Sequence, residues 1–241
     1  RAFCLSRGLG DVYKRQVGTG PFKFKEWVKD VRVVLEANDQ YWRGKPKIQR
    51  LIFKPIPEDA ARIAALQRGE TDLIDGVPYD RVKEIEGQKD LKITQRQGEQ
   101  IYIGVDTLRF DPFKKVEVRQ ALNYAVDADG LVKNLLLGYA IRLNGPFFPV
   151  TPGYDSRIRP YPYDPVRAKK MLADAGYPNG FDVEFSVSPN IQGVAKGQEV
   201  GEAIMDQLRK VGVRAKLTIM ESAAMFDGYA ARKFQMYMFP W

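Results

Sequence analysis

The sequence predicts an α/β fold, and three features carry that prediction. From Phe181 onward the chain reads strand, helix, strand, helix, strand. Its extended segments place apolar residues at every second position, and its helical segments place them three and four apart. Such alternation is the sequence form of right-handed crossovers on a largely parallel sheet.

The elements follow in order. FKFKEWV and VRVVLEA, between Phe22 and Ala37, flank Lys29-Asp30 and predict a hairpin that Asn38-Asp39 ends. The preceding Gly18-Thr19-Gly20-Pro21 is a tight turn and not a dinucleotide fingerprint, because Lys23 and a strand follow it. A third extended run, IQRLIFKPI at 48–56, alternates until Pro55 and Pro57 stop it. Glu58 to Arg68 reads as a helix with Ile63 and Leu66 on one face and Gly69 as its stop. DLIDGV at 72–77 reads as a short strand and Tyr79 to Glu86 as a helix. LKITQRQ at 91–97 and QIYIGVD at 100–106 read as two more strands.

The second half has longer helices. Val116 to Val126 carries Val118, Leu122 and Ala125 at core spacing. Asp127 is a good N-cap for a helix ending at Gly138. DADG at 127–130 begins like a calcium loop, but Leu131 and Val132 end that likeness. A Gly- and Pro-rich, aromatic stretch at 144–165 lacks periodicity and is read as a packed loop. Asp164-Pro165 opens a helix that Gly176 closes. The strand FDVEFSV, a helix with Val200, Ile204, Leu208 and Val211 in register, the strand VRAKLTI, a helix from Ser222 to Arg232 and the strand FQMYMF complete the chain.

Composition excludes several chemistries. Among 241 residues, 44% are hydrophobic and 28% charged, which suits one large domain or two small ones. No apolar run approaches the roughly 18 residues a membrane helix needs. There is no histidine, so Ser-His-Asp and Cys-His triads are excluded, and Cys4, the single cysteine, cannot form an internal disulfide or a thiolate zinc site. An enzyme reading is left with carboxylate or lysine chemistry. A carboxylate-dependent glycoside hydrolase would draw on Glu26, Asp30, Glu36, Asp39, Glu99, Asp106 and Asp111, yet no spacing marks out a pair. The net charge of +8 admits a basic nucleic-acid-binding module, but the lysines and arginines are spread along the chain, and pairs such as Lys114-Lys115 and Lys169-Lys170 read as solvated helix faces.

The first sixteen residues carry Cys4 and an excess of bases (Arg1, Arg7, Lys14, Arg15 against Asp11) and have no periodicity. They resemble a translated adaptor tail of the kind found on metagenomic reading frames, with a native N-terminal arm as the alternative. Residues 1–16 are therefore set apart as a non-native tail, and no signal peptide is legible in them. The chain ends at Trp241 inside the apolar run MYMFPW, which reads as truncation at the back as well.

Several motifs in order resemble the family 5 extracellular solute-binding proteins, the dipeptide, oligopeptide and nickel binding components of ABC importers. They are VGTGPFKFKEW, NDQYWRGKPKIQRLIFKPIPEDAARIAALQRGETDLI, KVEVRQALNYAVDADGLV, YDPVRAKKMLADAGYPNGF and LRKVGVRAKL. The resemblance covers residues 17 to 241. It implies a two-lobed, periplasmic-binding-protein-like α/β fold (class II, family 5), incomplete here, with residues 17–104 part of the first lobe and 105–241 the N-terminal part of the second. It further implies capture of a peptide-like solute in a cleft and delivery to ABC permease subunits in the membrane, without catalysis, cofactor or nucleic acid. A monomer in the periplasm or outside the cell, free or lipid-anchored to the cell surface, is the expected form.

Site expectations rest on the same resemblance. Gln100 and Tyr102 lie near the crossing between lobes, Asn190 and Lys196 follow the strand FDVEFSV, Trp241 stands as a cleft wall, and Asn144 lies in the Gly- and Pro-rich loop. Tyr102, Trp42 and Trp241 are read first as core aromatics whose polar edges would also suit a pocket wall. Peptide-binding relatives hold the ligand's ammonium on an acidic residue just after the Trp of the last strand, a position past Trp241. Dipeptide binders hold its carboxylate on an Arg after the strand matching FDVEFSVSP, where this chain offers Asn190, Gln192 and Lys196. The family's usual Asn in the segment matching YIGVDT is Asp106.

Overall fold

A computed structural model of the chain describes residues 18–95, 100–189 and 196–240. The N-terminal sixteen residues, and their reading as a tail, lie outside the described residues. The chain forms two compact units, one ending at Asp72 and the other beginning at Leu73.

The first unit holds an antiparallel sheet in the order β1 (Phe22–Val28), β2 (Arg32–Ala37), β3 (Arg50–Phe53). The hairpin forms where Lys29-Asp30 predicts it: Asp30 takes a left-handed conformation, φ 59°, and the Val31 amide donates to the Val28 carbonyl. Only the centre of the run at 48–56 pairs, from Arg50 to Phe53, and Pro55 and Pro57 further on have no amide hydrogen to donate to a ladder. Helix α1 (Asp59–Gln67) buries Ile63 and Ala65 and stops at Gly69, whose φ of +70° suits a residue without Cβ. Trp42 departs from the core expectation. It is 69% exposed, and the Arg43 guanidinium lies 4.4 Å over its ring, so a cation and not a core covers its face.

The second unit opens without the strand expected at 72–77. Leu73 is 80% exposed and the segment joins no ladder among the described residues. Residues 91–95 form no strand either, and the rest of that run, Arg96 and Gln97, lies outside the described residues. Alternation gives a segment a burial-ready face, but a strand also needs a neighbour with free amides and carbonyls. A turn of 3-10 helix at Tyr79–Arg81 and α2 (Val82–Glu86) stand where a helix is expected.

The remaining elements are β4 (Ile101–Val105), α3 (Asp111–Lys114), α4 (Val116–Ala125), α5 (Ala128–Gly130), α6 (Pro165–Asp174), β5 (Phe181–Val187), α7 (Gly197–Lys210), β6 (Val213–Ile219), α8 (Ser222–Ala230) and β7 (Met236–Pro240). The sheet order is β4-β7-β5-β6. β5 runs parallel to both β6 and β7, as crossovers through α7 and α8 require, and β4 closes one edge antiparallel to β7. Both predicted caps form: the Asp127 carboxylate accepts from the Gly130 amide and Asp164 from the Arg167 amide, each at 2.8 Å. The helix expected to run on to Gly138 instead widens after α5 into a π-helical turn at Leu131–Leu135, with the Leu136 amide reaching back to the Leu131 carbonyl.

The core lies between one face of this sheet and α4, α6 and α7. Phe113, Val118, Phe185, Val187, Val213 and Met236 are sealed in it. Each such side chain contributes about 1.5–3 kcal/mol by leaving water. At the sheet's amino edge Gly180, φ +70°, comes so close to Gly212 that a Cβ would stand 1.7 Å from the Gly212 carbonyl oxygen. Only glycine lets β5 and β6 start side by side there. The 144–165 loop packs as expected, with Tyr161 edge-on to Tyr124 at 5.0 Å.

Candidate functional site

Strand direction gathers the candidate site. β5, β6 and β7 run parallel, so their carboxyl ends share one edge of the sheet, and antiparallel β4 starts at that same edge. Ile101 pairs with Pro240 and Val187 with Ile219, which sets Gln100, Ser188, Met220 and Pro240 along it. Helix α7 connects β5 to β6 and must travel back to the amino edge. Its fourteen residues, roughly 21 Å, match the length of the seven-residue strands beside it. Its N-terminus, with Lys196 as the capping residue, therefore belongs to the carboxyl edge. Open α/β sheets place their ligands in the crevice outside this edge.

Gln100 and Lys196 are thus brought to one edge, while Asn190 and Trp241 lie outside the described residues. The Gln100 side-chain oxygen Oε1 is shielded from solvent and has no hydrogen-bond partner among the described residues. Lys196 holds a left-handed backbone, φ 68°, unusual for a residue with a Cβ, and its carbonyl accepts the first bond of α7, from Val200. The helix N-terminus and the ammonium both favour an anionic neighbour.

Tyr102 lies one step inward, on the sheet face opposite the core. It pairs with Phe239 across the ladder, and its ring meets that of Tyr237 edge-on at 6.2 Å. Burial, and after it the neighbouring Tyr237 and Tyr229 hydroxyls, push the Tyr102 phenol well above its ordinary range. The Tyr237 phenol is raised as well, again chiefly by burial. The cluster depends on Gly104, because a Cβ there would stand 2.2 Å from the Tyr237 ring. Helix α8 covers this face, stacking Tyr229 on Phe239 at 4.8 Å and setting the Ser222 hydroxyl 3.1 Å from that of Ser188. Sequence reasoning missed Tyr229, Tyr237 and the Ser188–Ser222 pair. The period-two placing of Tyr237 and Phe239 in FQMYMF is the signal that could have found two of these aromatics.

Asn144 stands apart. Its amide nitrogen donates to the carbonyls of Ile158 (2.8 Å) and Asp155 (3.3 Å) and to the Tyr154 hydroxyl (3.3 Å), tying the long loop to itself. Asp106 also has local work. Burial opposes its ionisation, but the amides of Leu108 and Arg109 and the Arg109 guanidinium at 2.7 Å outweigh that and hold its carboxyl below the usual range.

Most of the carboxylates considered for glycoside chemistry are committed elsewhere, Asp30 being placed in the β1–β2 turn. Glu26 meets Arg32, Glu36 meets Lys25 and Arg50, Asp39 meets Lys45 and Asp111 meets Lys114, each within 3.7 Å. Glu99 lies outside the described residues. A general acid needs a carboxyl held up in pKa, whereas Asp111, Asp155 and Asp182 are held down by hydrogen bonds from Lys114, Arg157 and Arg214. Among the described residues no cluster of acids and Cys could hold a metal ion, and no helix is long and apolar enough to cross a membrane.

Comparison with known proteins gives a consistent picture. A family profile described as "Bacterial extracellular solute-binding proteins, family 5 Middle" matches residues 7–241. The chain is 35% identical over 211 residues to heme-binding protein A of Haemophilus influenzae, an alignment that takes in 87% of this chain and 38% of that protein. It is 33% identical over 228 residues to the glutathione-binding protein GsiB of Escherichia coli, covering 92% of this chain and 44% of GsiB. Among solved structures, the periplasmic binding protein DppA of Helicobacter pylori in complex with the peptide STSA superposes with a TM-score of 0.84 at 29% identity, over 97% of this chain and 46% of that one. The chain thus spans about two fifths of the length of the curated relatives it matches.

Proposed function

The chain belongs to the bacterial extracellular solute-binding proteins of family 5, and on that premise we propose that it serves as solute-capturing sequence of an ABC importer, acting at the carboxyl edge of its four-stranded sheet. The observation that carries this reading is the gathering of Gln100 and Lys196 at that edge, beside the tyrosine cluster of Tyr102, Tyr229 and Tyr237. Asn190 and Trp241, outside the described residues, are assigned to it on the resemblance alone, the one three residues past the end of β5 and the other next after β7 in the sequence. Asn144 does not, since its amide nitrogen is spent on the loop.

The mechanism is binding without bond making. The resemblance divides the chain into a first lobe from residues 17–104 and a second from 105–241, although β4 (Ile101–Val105) pairs with β7 in the second unit's sheet, and the lobes close on the solute by hinge motion. The closed form docks on the permease, where ATP is hydrolysed by other subunits. The ligand class is peptide-like: a carboxylate finds Lys196 at the start of α7, and an amide or ammonium hydrogen finds the Gln100 oxygen. Glutathione and the peptide STSA, named for relatives, both offer these groups. The protein works outside the cytoplasmic membrane as a monomer, free or lipid-anchored.

Calorimetric titration of the protein expressed from its full reading frame, with a panel of di- to pentapeptides and glutathione, tests the proposal. Saturable binding that does not weaken steeply with salt is expected. Binding only to oligonucleotides with a steep salt dependence, or turnover of a chromogenic glycoside, would contradict it.

A further inference from the structure

At the far end of the sheet from the candidate site, α6 carries a second organised stripe. Its inner face buries Ala168 and Leu172 in the core. Its outer face presents Val166, Lys169, Lys170 and Ala173, spaced i, i+3, i+4 and i+7, which is one side of a helix. Pro178, in the turn before β5, and Lys210, the last residue of α7, close the opposite side. Together they line an open groove of about 500 Å³ with an apolar floor and a rim of ammonium groups.

The groove combines exposed apolar surface with cations that lack an ion pair among the described residues. Val166 is 80% exposed. Of the three rim cations, Lys170 reaches Asp174 at 2.5 Å, one turn along its own helix, while among the described residues Lys169 and Lys210 form no ion pair. The groove therefore has hydrophobic surface to cover and positive charge to neutralise, both on rigid elements anchored in the core.

We propose that this groove is a docking surface for an acidic, apolar-tipped segment of a protein partner. Apolar side chains of that segment cover Val166, Ala173 and Pro178, and its carboxylates meet Lys169 and Lys210. Charge complementarity selects the occupant, and the apolar floor distinguishes it from a phosphate or a lipid headgroup, which would leave Val166 in water. The surface lies at the amino edge of the sheet, so it is engaged whether or not the carboxyl edge holds a solute.

Fluorescence anisotropy of a labelled, end-capped peptide of four glutamates and three leucines tests this on the whole chain. The peptide is expected to bind saturably, with affinity falling as salt rises. The double charge reversal Lys169→Glu with Lys210→Glu is expected to weaken binding roughly tenfold or more, and Val166→Ser about threefold. All three positions are exposed, so circular dichroism should show an unchanged fold. Exchanging the peptide's glutamates for lysines should restore binding to the double reversal variant. Equal affinity of the parent and reversed variants overturns the proposal. So does binding of phosphatidylglycerol vesicles or inorganic phosphate at these lysines in the absence of peptide binding.

Discussion

The two compact units use the same raw material differently. In the second, strands with apolar residues at every second position lie under helices, and Phe113, Phe185, Val187 and Val213 leave no measurable surface in solvent. In the first, equally apolar strands leave Phe24, Trp27 and Phe53 about half exposed, at 48%, 45% and 56%. Connection accounts for the cover that this stretch of chain itself supplies. A parallel pair needs a crossover, and the crossover helix brings its own apolar face to cover the sheet. The antiparallel meander β1-β2-β3 is joined by a tight turn and by a loop at 38–49, neither of which is a covering helix. Strand patterning thus creates a face to bury, and topology decides whether the same stretch of chain supplies the lid.

Substitutions of matched residues put this contrast under the greatest load. Phe185→Ala, in the middle of β5, should destabilise the second unit by about 3–5 kcal/mol, read as a shift of its denaturant midpoint. Phe53→Ala, in β3, should change the first unit's stability by less than about 0.5 kcal/mol. Comparable losses at the two sites would break the comparison.

The aromatic face of the second sheet is the next test. Gly104→Ala places a methyl against the Tyr237 ring and should cost about 1–3 kcal/mol by overpacking. Combining it with Tyr237→Ala removes the clash, so the double variant should lose clearly less than the sum of the single losses. Simple additivity would mean that the ring does not rest on Gly104.

Local capping should matter less. Asp127→Ala removes the acceptor for the Gly130 amide and should lower stability by about 1 kcal/mol, with Asp127→Ser recovering most of it in thermal melts.

The smallest effect concerns pH. Asp106 has its pKa lowered in the fold, so its contribution is present above the unfolded value of about 3.9 and is lost as pH falls through the folded value. Asp106→Asn keeps an acceptor for the Leu108 and Arg109 amides but cannot titrate. Its melting temperature should fall less than the parent's between pH 5 and pH 3. An identical pH profile would show that Asp106 does not contribute to acid sensitivity.

Legibility follows the range of the interactions involved. FDVEFSV, the α7 register and VRAKLTI could be read because alternation, helical spacing and the caps at Asp127 and Asp164 are written within a few residues. DLIDGV has the same local signature and forms no strand, because a partner strand is a long-range property. The site divides in the same way. Gln100 and Tyr102 stood out through the segment they share, and the resemblance of the surrounding motifs directed attention to Lys196. The meeting of Tyr102 with Tyr229 and Tyr237 depends on β4 pairing with β7, a register no local pattern encodes. Trp42 misled because aromatic character suggests burial, whereas the adjacent Arg43 offers the ring a partner in solvent. Asn144 drew attention as a polar residue in a long loop, and its hydrogen bonds make it the organiser of that loop.

The central claim is that solute is held at the carboxyl edge of the four-stranded sheet. Calorimetric affinities for the tightest-binding peptide, measured on Gln100→Ala, Lys196→Ala and Asn144→Ala in the protein expressed from its full reading frame, test it most directly. The two edge variants should bind at least about tenfold more weakly, a loss of roughly 1.4 kcal/mol, and Asn144→Ala should keep the parent's affinity while melting earlier. Unchanged affinity at Gln100 and Lys196, with a loss at Asn144 instead, would contradict it.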